Sequence, residues 1–406
     1  MSNDQGKRSG RFVPTRRQFL LGGAVAGVGA AAAIGADLAL NQPSTPEAAP
    51  ALNGAEKVPF YGAHQAGVAT AAQAHASFVA LDLLEGVDRD GLRRLMRILT
   101  GDAARLTQGV EALADSEPEL AVVPARLTVT FGFGPGFVAR AEGSGPTWLR
   151  PLPAFSIDQL QPQFTDGDLL LQIAADDSLT VAHATRMLLK DTRSFASVRW
   201  VQHGFRRAYG SERPGTTMRN LFGQVDGTTN VQPDTKDFDD VVWASGGWLA
   251  GGTSAVIRRI RMNLDKWDEL DRSGREQSVG RTLANGAPLT GTDEFDEPNF
   301  EAKTPIGFPV IPDFSHMKRA RTDDPSQRIF RRGFNYDERP AGASVSESGL
   351  LFVSFQADVD AQFVPIQQRL SDLDLLNEWT TPIGSAVFAI PPGCAEDGYI
   401  GETLLA

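Results

Sequence analysis

Three short segments of this 406-residue chain carry side chains whose types and spacing could do chemistry. Residues 220–230 (NLFGQVDGTTN) set one carboxylate, Asp226, between Gly223 and Gly227. A carboxylate can take and return a proton beside a reacting centre. Flanking glycines permit unusual φ values and close approach of the backbone to a flat ligand. The plainer reading is an Asp-Gly turn. Residues 311–319 (IPDFSHMKR) hold a lone imidazole, His316, which is either a metal ligand or an ordinary structural histidine. Residues 328–336 (RIFRRGFNY) place Arg331 and Arg332 before Gly333 and two aromatics. A fixed guanidinium there could stabilise developing negative charge, or the pair could lie on a solvated face.

The rest of the inventory narrows the chemistry. One cysteine, Cys394, excludes an intramolecular disulfide and any multi-cysteine zinc or iron–sulfur site. Five histidines (His64, His75, His183, His203 and His316) make a short list of imidazole ligands. No H-E-x-x-H, G-x-x-x-x-G-K-[ST] or G-x-S-x-G motif occurs, so the usual hydrolase and NTPase signatures are missing. Residues 132–136 (GFGPG) superficially suggest a phosphate-cradling loop, but Pro135 interrupts the fingerprint and no clear helix follows, so a tight glycine turn is expected. The net charge of −11 argues against a general nucleic-acid binder.

The elements that must position these residues alternate between two periodicities. Strands are expected at 76–81, 126–133, 168–174 and 198–202, with amphipathic helices at 91–99 and 178–190. A Gly-, Arg- and Thr-rich zone, 204–230, marks a junction between domains 50–215 and 216–406. The second half repeats the recipe, with strands at 252–262, 349–356 and 385–389 and helices at 264–273 and 359–370. Residues 286–309 are polar and acidic, and read as a surface or pocket-edge connection. This alternation predicts α+β, as two ferredoxin-like units with antiparallel β-sheets flanked by helices. The chain is long enough for one large domain or two.

Residues 1–49 read as an address. Five basic residues precede an uncharged Ala/Gly-rich stretch at 19–36 and a small-residue segment, the layout of an export signal. Thr15-Arg16-Arg17-Gln18-Phe19-Leu20 resembles the twin-arginine motif, which is read by a receptor. That route carries folded proteins, so a chain with one cysteine suits it. Cleavage near Ala48 or Ala49 would leave 34 basic and 47 acidic residues, a net charge of −13.

Taken in order, the G-x-x-D-G of 223–227, the late His316, the R-R-G-F-x-Y of 331–336 and the GLLFVSFQ of 349–356 resemble the bacterial dye-decolourising (DyP-type) haem peroxidases. The FYGAHQAGV of 60–68 and GDLLLQI of 167–173 are similar to further segments of that family, so the resemblance runs from about residue 59 to the C-terminus.

The resemblance implies haem b (iron protoporphyrin IX) bound mainly by the C-terminal unit, with His316 as proximal iron ligand. It implies Asp226 as the distal acid–base group and Arg331 as the distal cation, with Arg332 an off-by-one alternative. Gly223 and Gly227 would line the cofactor, and Leu350 and Phe352 would face it from one strand. The implied partners are hydrogen peroxide, a reducing substrate and the twin-arginine export machinery, with a homo-oligomer left open. The implied activity reduces peroxide to water while oxidising dyes, phenolics or other donors through an oxoferryl intermediate. Alternatives are an exported deferrochelatase that releases iron from haem, and a non-catalytic haem-binding protein. The implied location is extracellular, cell-surface or periplasmic. An acceptor for His316 stays unnamed. Arg258, Arg259 and Arg261 are equal candidates for the haem propionates. Tyr336, Trp379, Trp248 and Tyr399 are candidates for surface oxidation sites.

Overall fold

The computed structural model describes Leu52–Ala406 apart from Ala341 and Ala343, so the export-signal segment lies outside the described residues. In the first half, β1 (His75–Leu83), β2 (Thr128–Phe133), β3 (Leu169–Ala175) and β4 (Ala196–Phe205) form an antiparallel sheet in the order β2-β3-β1-β4. In the second half, β5 (Thr253–Met262), β6 (Phe330–Arg331), β7 (Phe334–Glu338), β8 (Glu347–Gln356) and β9 (Thr380–Ile390) give the order β9-β5-β8-β7. With β6 and β7 counted as one strand and each half numbered separately, each sheet reads 4-1-3-2 in one direction, as in a ferredoxin-like unit.

The two sheets close on each other. β2 meets β9 at Phe133↔Ala389, and β4 meets β7 at Phe205↔Asn335. Because β5 pairs with both β9 and β8, the strands complete a ring. An apolar cluster fills much of its interior, with Phe78, Phe334, Phe355 and Phe388 fully buried. Each such side chain contributes on the order of 2–3 kcal/mol of burial.

The outer faces are covered by helices. Asp88 accepts from Gly91 N to cap α1 (Arg89–Thr107), which buries Leu92, Leu95, Met96, Leu99 and Leu106 against the first sheet. α2 (Pro135–Arg140) begins directly after β2 and corrects the expectation that no helix follows the glycine turn. A proline there costs nothing, since the first helical N–H has no intrahelical partner. α3 (Ser178–Thr192) and α4 (Lys236–Val242) follow in turn.

The helix expected at 264–273 divides into α5 (Leu264–Asp268) and α6 (Arg272–Val279), because Asp271 accepts from Gly274 N and starts a second helix. α7 (His316–Ala320) was not foreseen. The helix expected at 359–370 opens with a wide turn, Val359–Phe363, before α8 (Val364–Leu373), where Pro365 cannot supply a helical N–H. α9 (Glu402–Leu405) closes the chain. Among the described residues no helix is long and apolar enough to cross a membrane.

Candidate active site

The 330–338 stretch, for which a solvated face was one of two readings, forms strands β6 and β7. β6 and β7 share one register against β8, from Phe330↔Phe355 to Glu338↔Glu347, and Arg332 N bridges the gap by donating to Val353 O at 2.8 Å. Alternation therefore puts Arg331, Gly333 and Asn335 on one face. Phe330, Arg332, Phe334 and Tyr336 face the ring interior. This separates the adjacent arginines: Arg331 shares its face with Ser354, Phe352 and Leu350, while Arg332 points away from them.

A tight hairpin brings Asp226 to Arg331. Arg219 bridges Val225, Asn220 Oδ1 accepts from Phe222 N and Gln224 N, and Asp226 N donates to Met218 O at 2.8 Å. Gly223 (φ +78°) and Gly227 (φ +130°) adopt the backbone region that favours glycine, as the turn requires. Three residues on, Asn230 grips the Arg331 backbone from both sides: its Oδ1 accepts from Arg331 N at 3.0 Å and its Nδ2 donates to Arg331 O at 2.7 Å. The loop thus crosses β6, and Arg331 Nη1 donates to Asp226 Oδ1 at 2.7 Å. Neither group is sealed: the side chains are 26% and 14% exposed.

His316 opens α7, and its Nδ1 lies 2.6 Å from Asp374 Oδ2. Asp374 joins α8 to the turn at Leu375–Glu378, and its Oδ1 accepts from Leu376 N at 3.0 Å. Against a carboxylate the proton sits on Nδ1, which leaves Nε2 as the ligating nitrogen. Burial alone would lower the His316 pKa, but the Asp374 carboxylate and its hydrogen bond outweigh it and raise the value. Arg331 and Asp226 also act electrostatically on His316, so the two pairs belong to one neighbourhood.

Between them lies an apolar surface. Leu350 is buried with Met218, Phe222, Met262, Trp267 and Trp379. Phe352, Ile260, Leu221, Leu375 and Leu376 pack on that cluster but stay partly uncovered. Among the described residues no group of three or more His, Cys, Asp and Glu side chains could hold a bare ion. A metal held by His316 therefore needs ligands of its own, and a flat apolar chelate such as haem fits both the single imidazole and the half-covered apolar wall.

The other candidates are placed elsewhere. His64 is exposed, stacked 3.8 Å from the Trp243 ring and bonded to Gly251 O. His183 is buried against Asp115, and His203 is exposed on β4. Cys394 is buried, which pushes its thiol up to about 11, so it is no thiolate ligand. Asp313 pairs with Lys318, not with His316. Arg258 is bonded to Asp158, and Arg259 turns to Gln202 and Glu338 on the opposite face. Tyr336, Trp379 and Tyr399 are buried, which corrects their reading as surface oxidation sites; their rings are core material.

The sequence alone did not reveal Asp374 or Asn230. Asp374 lies 58 residues beyond His316, and Asn230 grips Arg331 across 101 residues. No local spacing rule joins residues so far apart.

Comparison with known proteins bears on the same segments. The family model for the N-terminal part of Dyp-type peroxidases matches residues 65–206, and that for the C-terminal part matches 217–395. A dye-decolorizing peroxidase of Thermobifida fusca is 35% identical, over 96% of this chain and 97% of that protein. A deferrochelatase of Yersinia pestis is 35% identical, over 97% of this chain and 95% of that protein. The crystal structure of a DyP-type peroxidase from Cellulomonas bogoriensis superposes with a TM-score of 0.85 at 54% identity, covering 87% of this chain and 99% of that one. With both family models matched in order and the two sheets in the order they share, the chain belongs to the Dyp-type peroxidase family.

Proposed function

We propose that the protein is a haem peroxidase in which one H₂O₂, two electrons drawn one at a time from a reducing substrate and two protons yield two waters and oxidised substrate. The carrying observation is the 2.7 Å pair of Arg331 and Asp226 set beside an imidazole whose Nδ1 is held by Asp374. His316 would hold haem through Nε2, and the bound haem would supply the redox chemistry that cleaves the peroxide O–O bond. Asp226 takes a proton from one peroxide oxygen and returns it to the other. Arg331 offers its guanidinium to the negative charge that grows on the departing oxygen. Asp374 orients the ring of His316 and raises its basicity. Gly223 and Gly227 shape the turn that presents Asp226, and Leu350 and Phe352 form the apolar wall.

The experiment is an absorption spectrum of the haem-loaded protein before and after one equivalent of peroxide, for the native chain, Asp226→Ala and Arg331→Ala. A rapid spectral change that both substitutions slow supports the reading. Both variants reacting at the native rate would reject the distal assignments.

The Yersinia pestis relative favours a second reading, removal of iron from haem with the porphyrin intact. Metal-free porphyrin accumulating during incubation with haem supports it, and an inert haem-loaded protein points instead to a carrier. Export by the twin-arginine machinery to the cell surface, periplasm or medium is part of the same proposal, supported by the 15–20 motif.

A further inference from the structure

Arg332 belongs to the strand that carries Arg331 but faces the other way, into the ring. Only 2% of it is exposed. Its guanidinium donates to Thr70 O and to Gln73 Oε1, both in the N-terminal half. Gln73 is fully buried and is itself held, its Nε2 donating to Arg126 O at 2.8 Å and Thr128 Oγ1 at 3.0 Å. Arg332 forms no ion pair among the described residues; the charges that act on it are Arg206, Arg126 and, with opposite sign, Asp176. Burial and the two cations push its guanidinium down to about 9.

Such a buried cation is a poor source of stability. Taking a guanidinium out of water without a carboxylate costs more than two neutral acceptors return. What the arrangement supplies is a fixed position. Three consecutive residues are held from three directions: Arg331 by Asn230, Arg332 by Thr70 and Gln73, and Gly333 O by Arg206 Nε at 2.8 Å. Successive side chains of a strand leave its opposite faces, so pinning Arg332 sets the height and rotation at which Arg331 leaves the other face.

We propose that Arg332 is a positioning residue, a strut from the N-terminal half that aims Arg331 at Asp226. The functional part of this proposal rests on the reading of Arg331 as the distal cation. The test uses Arg332→Met, Arg332→Lys and Gln73→Leu, with Arg331→Leu as control. Two readouts are not activities: amide hydrogen exchange of the 328–335 peptide in haem-free protein, and fluoride affinity of the haem-loaded ferric protein.

A strut predicts faster exchange in that peptide and about tenfold weaker fluoride binding in Arg332→Met, roughly one charge-assisted hydrogen bond. The melting temperature should stay level or rise, and Arg332→Lys should recover part of the affinity. If Arg332→Met does not fold, Gln73→Leu, which keeps the cation and removes one acceptor, should show the same pattern in milder form. Native exchange and native fluoride affinity in a folded variant, with affinity lost in Arg331→Leu, would overturn the strut. A lowered melting temperature with unchanged fluoride affinity would overturn it too, because that is the mark of a merely structural residue. Native fluoride binding in Arg331→Leu would overturn the distal reading instead, and hydrogen exchange would then decide the strut alone.

Discussion

Replacing Asp374 with Asn tests the proximal pair most directly. The Asp374 side chain is 4% exposed and the His316 side chain 33%, and Oδ2 lies 2.6 Å from His316 Nδ1, so the bond is charge-assisted. Asp374 serves two donors with two oxygens, His316 Nδ1 and Leu376 N. An asparagine has one acceptor oxygen for both. Exchanging the charge-assisted bond for a neutral or missing one costs about 1.5 kcal/mol. In the haem-free protein losing that bond lowers the His316 pKa.

The sign follows from the balance at the ring. Burial lowers the His316 pKa and Asp374 raises it above the ordinary value, so without the carboxylate the burial effect prevails and the pKa falls. A raised histidine pKa contributes stability fully below the unfolded value, about 6.5, and loses it as pH rises through the folded value. The difference in melting temperature between native and Asp374→Asn haem-free protein should therefore be larger at pH 5.5 than at pH 9. In the haem-loaded protein a less basic imidazole stabilises ferric iron less. The same free energy raises the one-electron potential by about 60 mV. The assays are an NMR titration of the His316 Cε1 proton and spectroelectrochemistry. An unshifted His316 pKa together with an unchanged potential, in a folded variant, would refute the argument.

Three further outcomes follow from the same geometry. His316→Ala should lose or loosen haem, and retention with an unchanged spectrum would reject the ligand assignment. Asp226→Asn should slow the reaction with peroxide by about 10²-fold or more, with haem content unchanged, by stopped-flow absorbance. Half-buried Asp191 is pushed up to about 7 by desolvation and by the neighbouring Asp102 carboxyl. A carboxyl raised in the folded state contributes stability below its unfolded pKa and loses it as pH rises through 7. Asp191→Asn should therefore flatten the fall in melting temperature between pH 5 and pH 8, an effect on the order of 1 kcal/mol after discounting for partial exposure; an unaltered pH profile would exclude the pair as its source.

Much of this fold was legible because its signals are local. Alternating β-branched residues marked β2, and apolar residues at 3–4 spacing marked α1. The site was legible as separate points, since glycine on both sides of Asp226 is a local sign of a tight turn. The connections were not legible. Arg331 against Arg332 is decided by strand parity, and parity appears only once the 330–338 stretch is seen to lie in register on β8. Its two arginines, its glycine and its acidic end hide the strand behind a polar composition. Asp374 also caps the turn at Leu375–Glu378, and nothing local in the sequence ties it to His316. Tyr336, Tyr399 and Trp379 were misplaced because aromatic identity says nothing of depth.

Among the described residues the strands of the two halves pair at Phe133↔Ala389 and at Phe205↔Asn335. Either half produced alone would present two strand edges, β2 and β4 in one and β9 and β7 in the other, with their backbone donors and acceptors free to recruit foreign strands. The two joints lie 256 and 130 residues apart along the chain, so the first sheet waits for β9, the last strand to be made, before both its edges are guarded. For as long as the chain is incomplete, edge-to-edge aggregation is its characteristic hazard, and a truncation anywhere before β9 makes that hazard permanent.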